Sequence, residues 1–351
     1  MLILSKVKRQ HYVPRLYLKQ WANSSKQVIV LDKSNNKQYP NNIQNVASAN
    51  YFYDGGTLPD EEKEKIREIA KEEGILEEIE PYLANNQMIE YMVGKIEATV
   101  APILDSVISR LNGLKLFPQE YLIGNSAIKN NEYYDIAYFI SLQAVRTKEH
   151  RKMIDEIHEG MIKKLAQLES KQDGFESDIE EKTHKEIIQK GKFNVEIDDE
   201  YSKYMHVTQM FSQAETIVDI LLSHKWLIQR RTTDLQFITS DHPVIKHDNI
   251  QHPFYGAGYA SKGIEIHFPL SPDYEILIYE RSHLASVSPF LSNPNLHIID
   301  SIEENVIYSN DLQVYHSDRQ LFSTNSENLK LAKKRMKESP KIYKKKRITF
   351  N

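Results

Sequence analysis

The fold begins with the stretch Arg9-Gln10-His11-Tyr12-Val13-Pro14-Arg15-Leu16-Tyr17-Leu18-Lys19-Gln20-Trp21, which is aromatic and basic and has one histidine ahead of a proline. A proline suits the first turn of a helix, because the N–H group that it lacks has no intrahelical partner there. Residues 12–22 are therefore predicted to form a short helix. Val13, Leu16 and Tyr17 fall at helical spacing and are expected to be its buried stripe.

Beyond this stretch, the hydrophobic periodicity predicts an α+β fold in which a central helical bundle packs against a mostly antiparallel sheet. The sheet is expected to be built from an N-terminal hairpin at 28–39, which turns at Ser34–Asn36, and from C-terminal strands. Helices are predicted at 58–73, 86–111, 132–168, 201–224 and 301–314, and strands at 226–231, 235–239, 264–268 and 275–279.

The composition is typical of a soluble protein with a large core. Of the 351 residues, 40% are hydrophobic and 27% are charged, and none is a cysteine. No apolar run reaches the roughly 18–20 residues that a membrane helix needs, so no contact with a membrane is expected. Because disulfides and thiolate metal sites are excluded, a cytoplasmic protein is expected. Residues 1–328 are predicted to form one unit, followed by a basic tail at 329–351.

The tail concentrates positive charge, since residues 329–351 carry a net +9 and the rest of the chain −13. A basic segment favours contact with nucleic acid, because each neutralised phosphate releases counterions. A solvated helix end followed by a ragged terminus explains the same charge. The expected nucleic-acid contacts are Arg9, Arg15, Lys333, Lys334, Arg335, Lys344, Lys345 and Lys346.

The segment at about 169–200 is dense in charged residues and poor in apolar ones. This composition is typical of an exposed helical hairpin or a mobile excursion. Such a segment is also a candidate surface for a protein partner.

Short blocks in a fixed order carry a family resemblance. The blocks are residues 9–21, Asn45–Tyr53, Glu90–Glu97, Gln143–Arg146, Trp226, Phe237–Pro243 and Phe268–Pro272. Together they resemble the DUF4238 family, a bacterial family of proteins of about this length that has no settled activity. The charged segment near 168–200 and His242 depart from the family's pattern. The family's recurring polar positions fall on His11, Gln143, Arg146 and Asp241, so the resemblance implies that these side chains matter.

Two of these polar residues, His11 and Asp241, have both functional and structural interpretations. A histidine is suited to acid–base catalysis because its unperturbed pKa is about 6.5. His11 is equally well explained as a hydrogen-bonded residue at a helix entry. Asp241 ends a predicted strand and is a candidate base, metal ligand or partner of a histidine, or else it forms an Asx-turn.

The other candidates lie on predicted helices. Gln143 and Arg146 are one helical turn apart, so they form either a buried clamp or the floor of a site. Glu90 and Glu97 share a face of the helix at 86–111. That face is either a solvated edge or a pair of carboxylates directed into a cleft.

No cofactor is predicted. His242, His247 and His252 recur at regular spacing, but without a helical histidine pair or a cysteine, so a divalent metal is not supported by the ligand spacing. Arg151 and His158 match the spacing of the catalytic pair in HEPN-type ribonucleases, a match that chance produces often on a charged helix. Glycine-rich phosphate loops and dinucleotide fingerprints are missing from the sequence.

Three functions fit these patterns. The first is a nucleic-acid-directed hydrolase, a defence-associated nuclease or toxin-like effector, with His11 as acid/base and Arg146 as phosphate binder. In this hydrolase, Gln143 is the orienting residue, and Asp241 holds the histidine or a metal. The second is a non-enzymatic sensor of a ligand or phage component, and the third is a structural or interaction module. The sensor pocket is expected to be lined by Tyr12, Tyr17, Trp21 and Phe237.

Overall fold

The computed structural model describes residues 6–54, 59–169, 181–182, 185–189, 191, 193–250 and 257–338. The helices are α1 Arg15–Leu18, α2 Asp60–Glu72, α3 Leu76–Ala84, α4 Met88–Gly113, α5 Tyr133–Val145, α6 Lys148–Glu169, α7 Asp199–Ser223, α8 Arg281–Val287, α9 Glu303–His316 and α10 Ser326–Glu338. The strands are β1 Arg9–His11, β2 Gln27–Asp32, β3 Lys37–Asn42, β4 Ser48–Asn50, β5 Lys225–Arg231, β6 Thr239–Ser240, β7 Ile245–Asp248, β8 Ile264–Ser271, β9 Tyr274–Tyr279, β10 Ile298–Ser301 and β11 Gln320–Ser323. None of the described helices has an apolar stretch of the length needed to span a bilayer.

The strands form three sheets, which confirms the α+β class. The largest has the order β10-β5-β9-β8-β7 and is antiparallel except for the β10–β5 pair. The predicted hairpin, β2 and β3, is also present, with Asn36 at a φ of 57° in its turn. As expected, the hairpin pairs with a strand from late in the chain, but that strand is β11 rather than β5, β8 or β9. It belongs to a separate sheet of order β3-β2-β11-β6, because β11 pairs with β2.

The N-terminal stretch ties the helices to both larger sheets. Tyr17 is buried, and its hydroxyl donates to the carbonyl of Pro269 in β8 at 2.7 Å. The indole N–H of Trp21, which has no exposed surface, donates to the carbonyl of Phe237 at 3.0 Å. The predicted buried stripe is correct for Val13 and Tyr17. Leu18 is fully buried beside them, whereas Leu16 is only partly buried, because the four-residue α1 passes into a 3₁₀ turn, Lys19–Trp21.

Two predicted elements differ from the structure. The helix expected at 132–168 is interrupted at Arg146 and Thr147, which separate α5 from α6. Of the strand expected at 235–239, only its last residue is in a strand, the short β6. The N–H groups of the residues before it donate to acceptors outside the sheet. The N–H of Ile238 donates to the side chain of Asn310 at 2.9 Å.

The helix α3 was not predicted from the sequence. The helices α2, α4, α7 and α9 agree with the predicted ranges to within a few residues.

The fold continues past the predicted start of the tail at residue 329. Leu329 and Ala332, on α10, are buried in a small apolar cluster with Leu31, Val314 and Leu321. Residues 329–338 are therefore part of the packed structure. The remaining tail, with Lys344, Lys345 and Lys346, lies outside the described residues.

Replacing Leu329 by alanine is expected to lower the free energy of unfolding by about 2–4 kcal/mol, because the side chain is fully buried and the change leaves a cavity. Urea denaturation measures the loss. Lys337→Ala, on the exposed face of the same helix, is the matched control and is expected to change stability by less than about 0.5 kcal/mol. Equal effects of the two substitutions would contradict the packing of α10 against the sheet.

Candidate functional site

The centre of the candidate site is the guanidinium of Arg146, at the break between α5 and α6. Arg146 has no exposed surface. Its Nε donates to Gln143 Oε1 at 2.9 Å, and its Nη1 donates to Glu97 Oε1 at 2.9 Å. Gln143 in turn donates from Nε2 to the carbonyl of Tyr12 at 3.0 Å. The Arg146 side chain thus joins α4 and α5, and Gln143 connects both to the N-terminal stretch.

One donor of Arg146 is unused. The Nη2 atom is buried, and it has no hydrogen-bond acceptor among the described residues. The ring of Phe139 lies 5.9 Å from the guanidinium carbon and covers part of it. Leaving a buried donor unpaired is costly, typically about 1–3 kcal/mol. The guanidinium of Arg146 is therefore a buried cation with one unpaired hydrogen-bond donor.

Glu90 and Glu97 share a face of α4 but have different surroundings. Burial, together with the carboxylate of Glu97, raises the pKa of Glu90 to about 7. Glu97 is the ion-pair partner of Arg146, and its side chain keeps 24% of its surface exposed. A carboxyl group with a pKa near neutrality both accepts and donates protons at physiological pH. Both side chains are only partly exposed, which does not fit a solvated edge, and the alternative of a carboxylate pair directed into a cleft stays a prediction.

His11 ends β1 and precedes Tyr12, whose carbonyl accepts the hydrogen bond from Gln143. Burial and the positive charge of Arg15 lower the pKa of His11 to about 4, so its imidazole is neutral at physiological pH. Its Nε2 is buried and has no hydrogen-bond partner among the described residues. The charge of Arg15 also acts on Glu90, where it opposes the rise in the pKa of that carboxyl. We refer to His11, Glu90, Glu97, Gln143 and Arg146 as the Arg146 cluster.

Asp241 is held by a different part of the fold. Its carboxylate accepts three backbone N–H groups, from Asp318 at 2.9 Å, Arg319 at 2.8 Å and Gln320 at 2.7 Å. Burial and the neighbouring Asp318 raise the pKa of Asp241 to about 7. Within the described chain, no hydrogen bond or ion pair joins Asp241 to His11. Its contacts position the start of β11, and the catalytic role predicted for it stays a prediction.

The aromatic residues predicted to line a sensor pocket are instead packed in the core. Each has at most 4% of its surface exposed, and they are Tyr12, Tyr17, Trp21 and Phe237. Arg151 is the arginine of the pair whose spacing matches HEPN-type ribonucleases. Its guanidinium carbon lies 3.9 Å from the centre of the Phe52 ring, and its Nη2 donates to the carbonyl of Phe52 at 2.6 Å. Its guanidinium also bonds to His206, so it is engaged in packing.

The histidines that recur at regular spacing have different surroundings. His242 Nδ1 lies 2.7 Å from Thr147 Oγ1, and the ring of His247 packs against Tyr308. His252 lies outside the described residues. In the described ranges, no three carboxylate or histidine side chains are arranged to hold a metal ion.

The predicted nucleic-acid contacts that the structure describes are on the surface. Arg9 and Arg15 are exposed, on and next to β1. Lys334 and Arg335 are exposed on α10, where Arg335 faces Asp311 at 3.5 Å, and Lys333 is partly exposed. In the charged segment at 169–200, residues 170–180, 183–184, 190 and 192 lie outside the described residues.

Two residues of the site's surroundings were not recognised from the sequence. Gln10 is fully buried, its amide donates to Asp54 at 2.8 Å, and its oxygen accepts the N–H of Tyr53 at 2.7 Å. Burial raises the pKa of Tyr53, whose hydroxyl donates to the carbonyl of His11. The sequence signal for this contact is weak, because a polar residue on a three-residue strand normally faces solvent.

Comparison with known proteins gives one match. The family model DUF4238, described as a protein of unknown function, matches residues 9–327. No curated protein and no solved structure matches the chain. The matched range contains every member of the Arg146 cluster as well as Asp241.

The raised pKa of Glu90 predicts a pH-dependent stability. Between pH 4.5 and about 7 the folded protein holds a proton at Glu90 that the unfolded chain has released, so the free energy of unfolding is expected to fall as the pH rises through this window. Glu90→Gln is expected to remove this part of the slope in urea denaturation. Glu77→Gln, at an exposed position of α3, is the control. Parallel profiles for the unsubstituted protein and Glu90→Gln would exclude the buried, protonated state.

Proposed function

The chain belongs to the DUF4238 family, and we propose that it is a nucleic-acid-directed hydrolase whose active site is the Arg146 cluster. The observation that carries the proposal is that the charge of the exposed Arg15 acts on two proton-exchanging groups, the neutral imidazole of His11 and the carboxyl of Glu90. Hydrolysis of a phosphodiester needs a base for the attacking water, an acid for the leaving oxygen and positive charge at the phosphate.

The proposal assigns each of these needs to one side chain. His11, neutral and with an unpaired ring nitrogen, takes the proton of the attacking water. Glu90, protonated in part near neutral pH, gives a proton to the leaving oxygen. Arg15 is exposed and binds the phosphate, a role that suits the planar guanidinium. The reaction then exchanges one P–O bond to the leaving group for one to water.

Arg146 has a different role from the one expected on sequence grounds. Because its side chain has no exposed surface, direct contact with a substrate phosphate is out of reach without rearrangement. In the proposal, Arg146 and Gln143 hold Glu97 and the backbone of Tyr12 in place, which positions the N-terminal stretch beside α4. Asp241 is left out of the reacting groups, since three N–H donors already occupy its carboxylate.

A structural role is the second candidate, and the complete burial of Arg146 favours it. A buried ion pair with further hydrogen bonds fixes the relative position of helices without any catalysis. In that case substitutions in the cluster lower stability and alter no activity. A protein partner for residues 169–200 and a defence-associated or toxin-like role both stay predictions.

The first test is cleavage of tRNA, single-stranded RNA and duplex DNA by purified protein. His11→Ala and Glu90→Gln are each expected to lower the cleavage rate by roughly 10²–10⁴-fold while the circular dichroism spectrum is kept, because each removes a proton-transfer group. Arg15→Ala is expected to weaken substrate binding. Lys262→Ala, an exposed cation before β8, is the control for loss of surface charge. Assays with Mg²⁺, Mn²⁺ and EDTA identify any need for metal.

Two results would count against the hydrolase. Cleavage that survives both His11→Ala and Glu90→Gln points to a contaminating nuclease. No cleavage of any substrate, together with a loss of stability in both variants, leaves the cluster as a structural network. A toxin-like role predicts growth arrest on induced expression, which His11→Ala relieves.

The basic tail is expected to supply affinity for nucleic acid without sequence preference. Deleting residues 339–351 removes Lys341, Lys344, Lys345, Lys346 and Arg347 but leaves α10 in place. The slope of log affinity for duplex DNA against log salt concentration is expected to become shallower by as much as about 4, since each phosphate contact contributes about 0.9. Filter binding over a salt series measures the slope. An unchanged slope would show that the tail does not contact the backbone.

A further inference from the structure

A cavity of about 360 Å³ lies between the five-stranded sheet and α9, apart from the Arg146 cluster. The sheet contributes polar side chains from β5, β8 and β9 to it, and α9 contributes Tyr308 and Ser309. Phe290, which follows α8, adds an aromatic side chain that is 59% exposed. The volume falls in the range of small-molecule sites, which are concave and combine apolar walls with a few polar groups.

The floor of this cavity contains Glu265 and His267, and behind His267 lies a second glutamate, Glu275, which is fully buried and does not line the cavity. His267 has 1% of its surface exposed. Its Nε2 lies 2.9 Å from Glu265 Oε1, and its Nδ1 lies 3.3 Å from Glu275 Oε2. Glu265 and His267 are two residues apart on β8, so their side chains point to the same face of the sheet, and Glu275 comes from the neighbouring β9.

This floor carries an excess of negative charge. Burial disfavours the charged imidazole, but the carboxylates of Glu275 and Glu265 overcome it and raise the pKa of His267 to about 10. Burial also opposes ionisation of Glu265, but the charge of His267 holds the pKa of Glu265 near 2. One imidazolium between two carboxylates leaves one negative charge uncompensated.

The other groups around the floor are neutral or already paired. Glu265 accepts hydrogen bonds from Tyr279 at 2.9 Å and from Asn249 at 3.0 Å, and Glu275 accepts one from Ser309 at 2.6 Å. These donors are uncharged. The carboxylate of Asp300, which also lines the cavity, is paired with Arg230 at 2.5 Å.

The wall and the rim are aromatic. The ring of Tyr308 lies 5.6 Å from the ring of His267, and Tyr308 is 39% exposed, so it reaches from the floor to the opening. Aromatic faces attract cations through their quadrupole, most strongly where water is excluded. An anionic floor below aromatic side chains is complementary to a small positive ligand. In addition, Glu275 Oε1 is buried without a hydrogen-bond donor in the described part of the chain.

We propose that this cavity binds a small organic cation, a primary amine whose ammonium group sits over Glu265 and His267 and whose body lies against Tyr308 and Phe290. The ammonium balances the excess carboxylate charge and donates hydrogen bonds. Because the site shares no residue with the Arg146 cluster, the proposal stands apart from the proposed hydrolase.

Three probes of equal size and different charge test the proposal: benzylammonium, benzyl alcohol and benzoate. Isothermal titration and thermal unfolding of the full chain at neutral pH are expected to show saturable binding of benzylammonium alone, with a raised unfolding temperature. Glu265→Gln is expected to weaken this binding at least tenfold, because it removes the uncompensated charge. Asp234→Asn, an exposed carboxylate elsewhere on the chain, is the matched control and is expected to bind as before.

Tyr308→Leu provides a second variant in case Glu265→Gln does not fold. It keeps the floor and removes the aromatic wall, and it is expected to weaken binding of benzylammonium by several-fold. Binding of benzoate as tight as that of benzylammonium would overturn the proposal, and so would benzylammonium binding that is unchanged in the folded variants. If none of the probes binds, the three residues are an internal ion network without a ligand.

Discussion

The buried guanidinium of Arg146 is the contact on which the helical layer depends. A positive charge without exposed surface is stable only with anionic and hydrogen-bonding partners, and here α4 supplies Glu97 and α5 supplies Gln143. The same glutamine reaches the backbone of Tyr12, so one side chain sets the distance between two helices and the N-terminal stretch. The neutral His11 and the protonated Glu90 owe their positions to this frame.

Much of the secondary structure was predictable because local rules decide it. The hairpin β2–β3 has a turn asparagine that tolerates a positive φ, and the long helices have apolar residues at three- and four-residue steps. The break after α5 was not predictable, because the apolar pattern continues through Val145. What ends the helix is tertiary, since the side chain of Arg146 turns toward Glu97 on α4.

The candidate site was predictable in part. The polar pair Gln143 and Arg146 does meet, as one helical turn of separation requires. Sequence reasoning had no means of knowing that Arg146 is fully buried or that the backbone of residues 318–320 occupies Asp241. The charged residues of the buried strand β8 were equally hard to recognise from the sequence. Glu265 and His267 alternate with apolar residues on β8, and the second carboxylate partner of His267, Glu275, becomes recognisable only once β8 and β9 are paired.

The pairing of β11 has a consequence for the order in which the chain folds. β11 lies between β2 and β6, so a sheet begun by residues 27–42 stays incomplete until residues 320–323 have been synthesised. A ribosome-bound chain therefore presents an unpaired strand edge for nearly the whole of translation. Contacts that span most of the chain are slow to form, and open edges invite pairing with other chains. Protection of the nascent hairpin, by a chaperone or by transient packing of the N-terminal stretch, is thus a requirement of this topology.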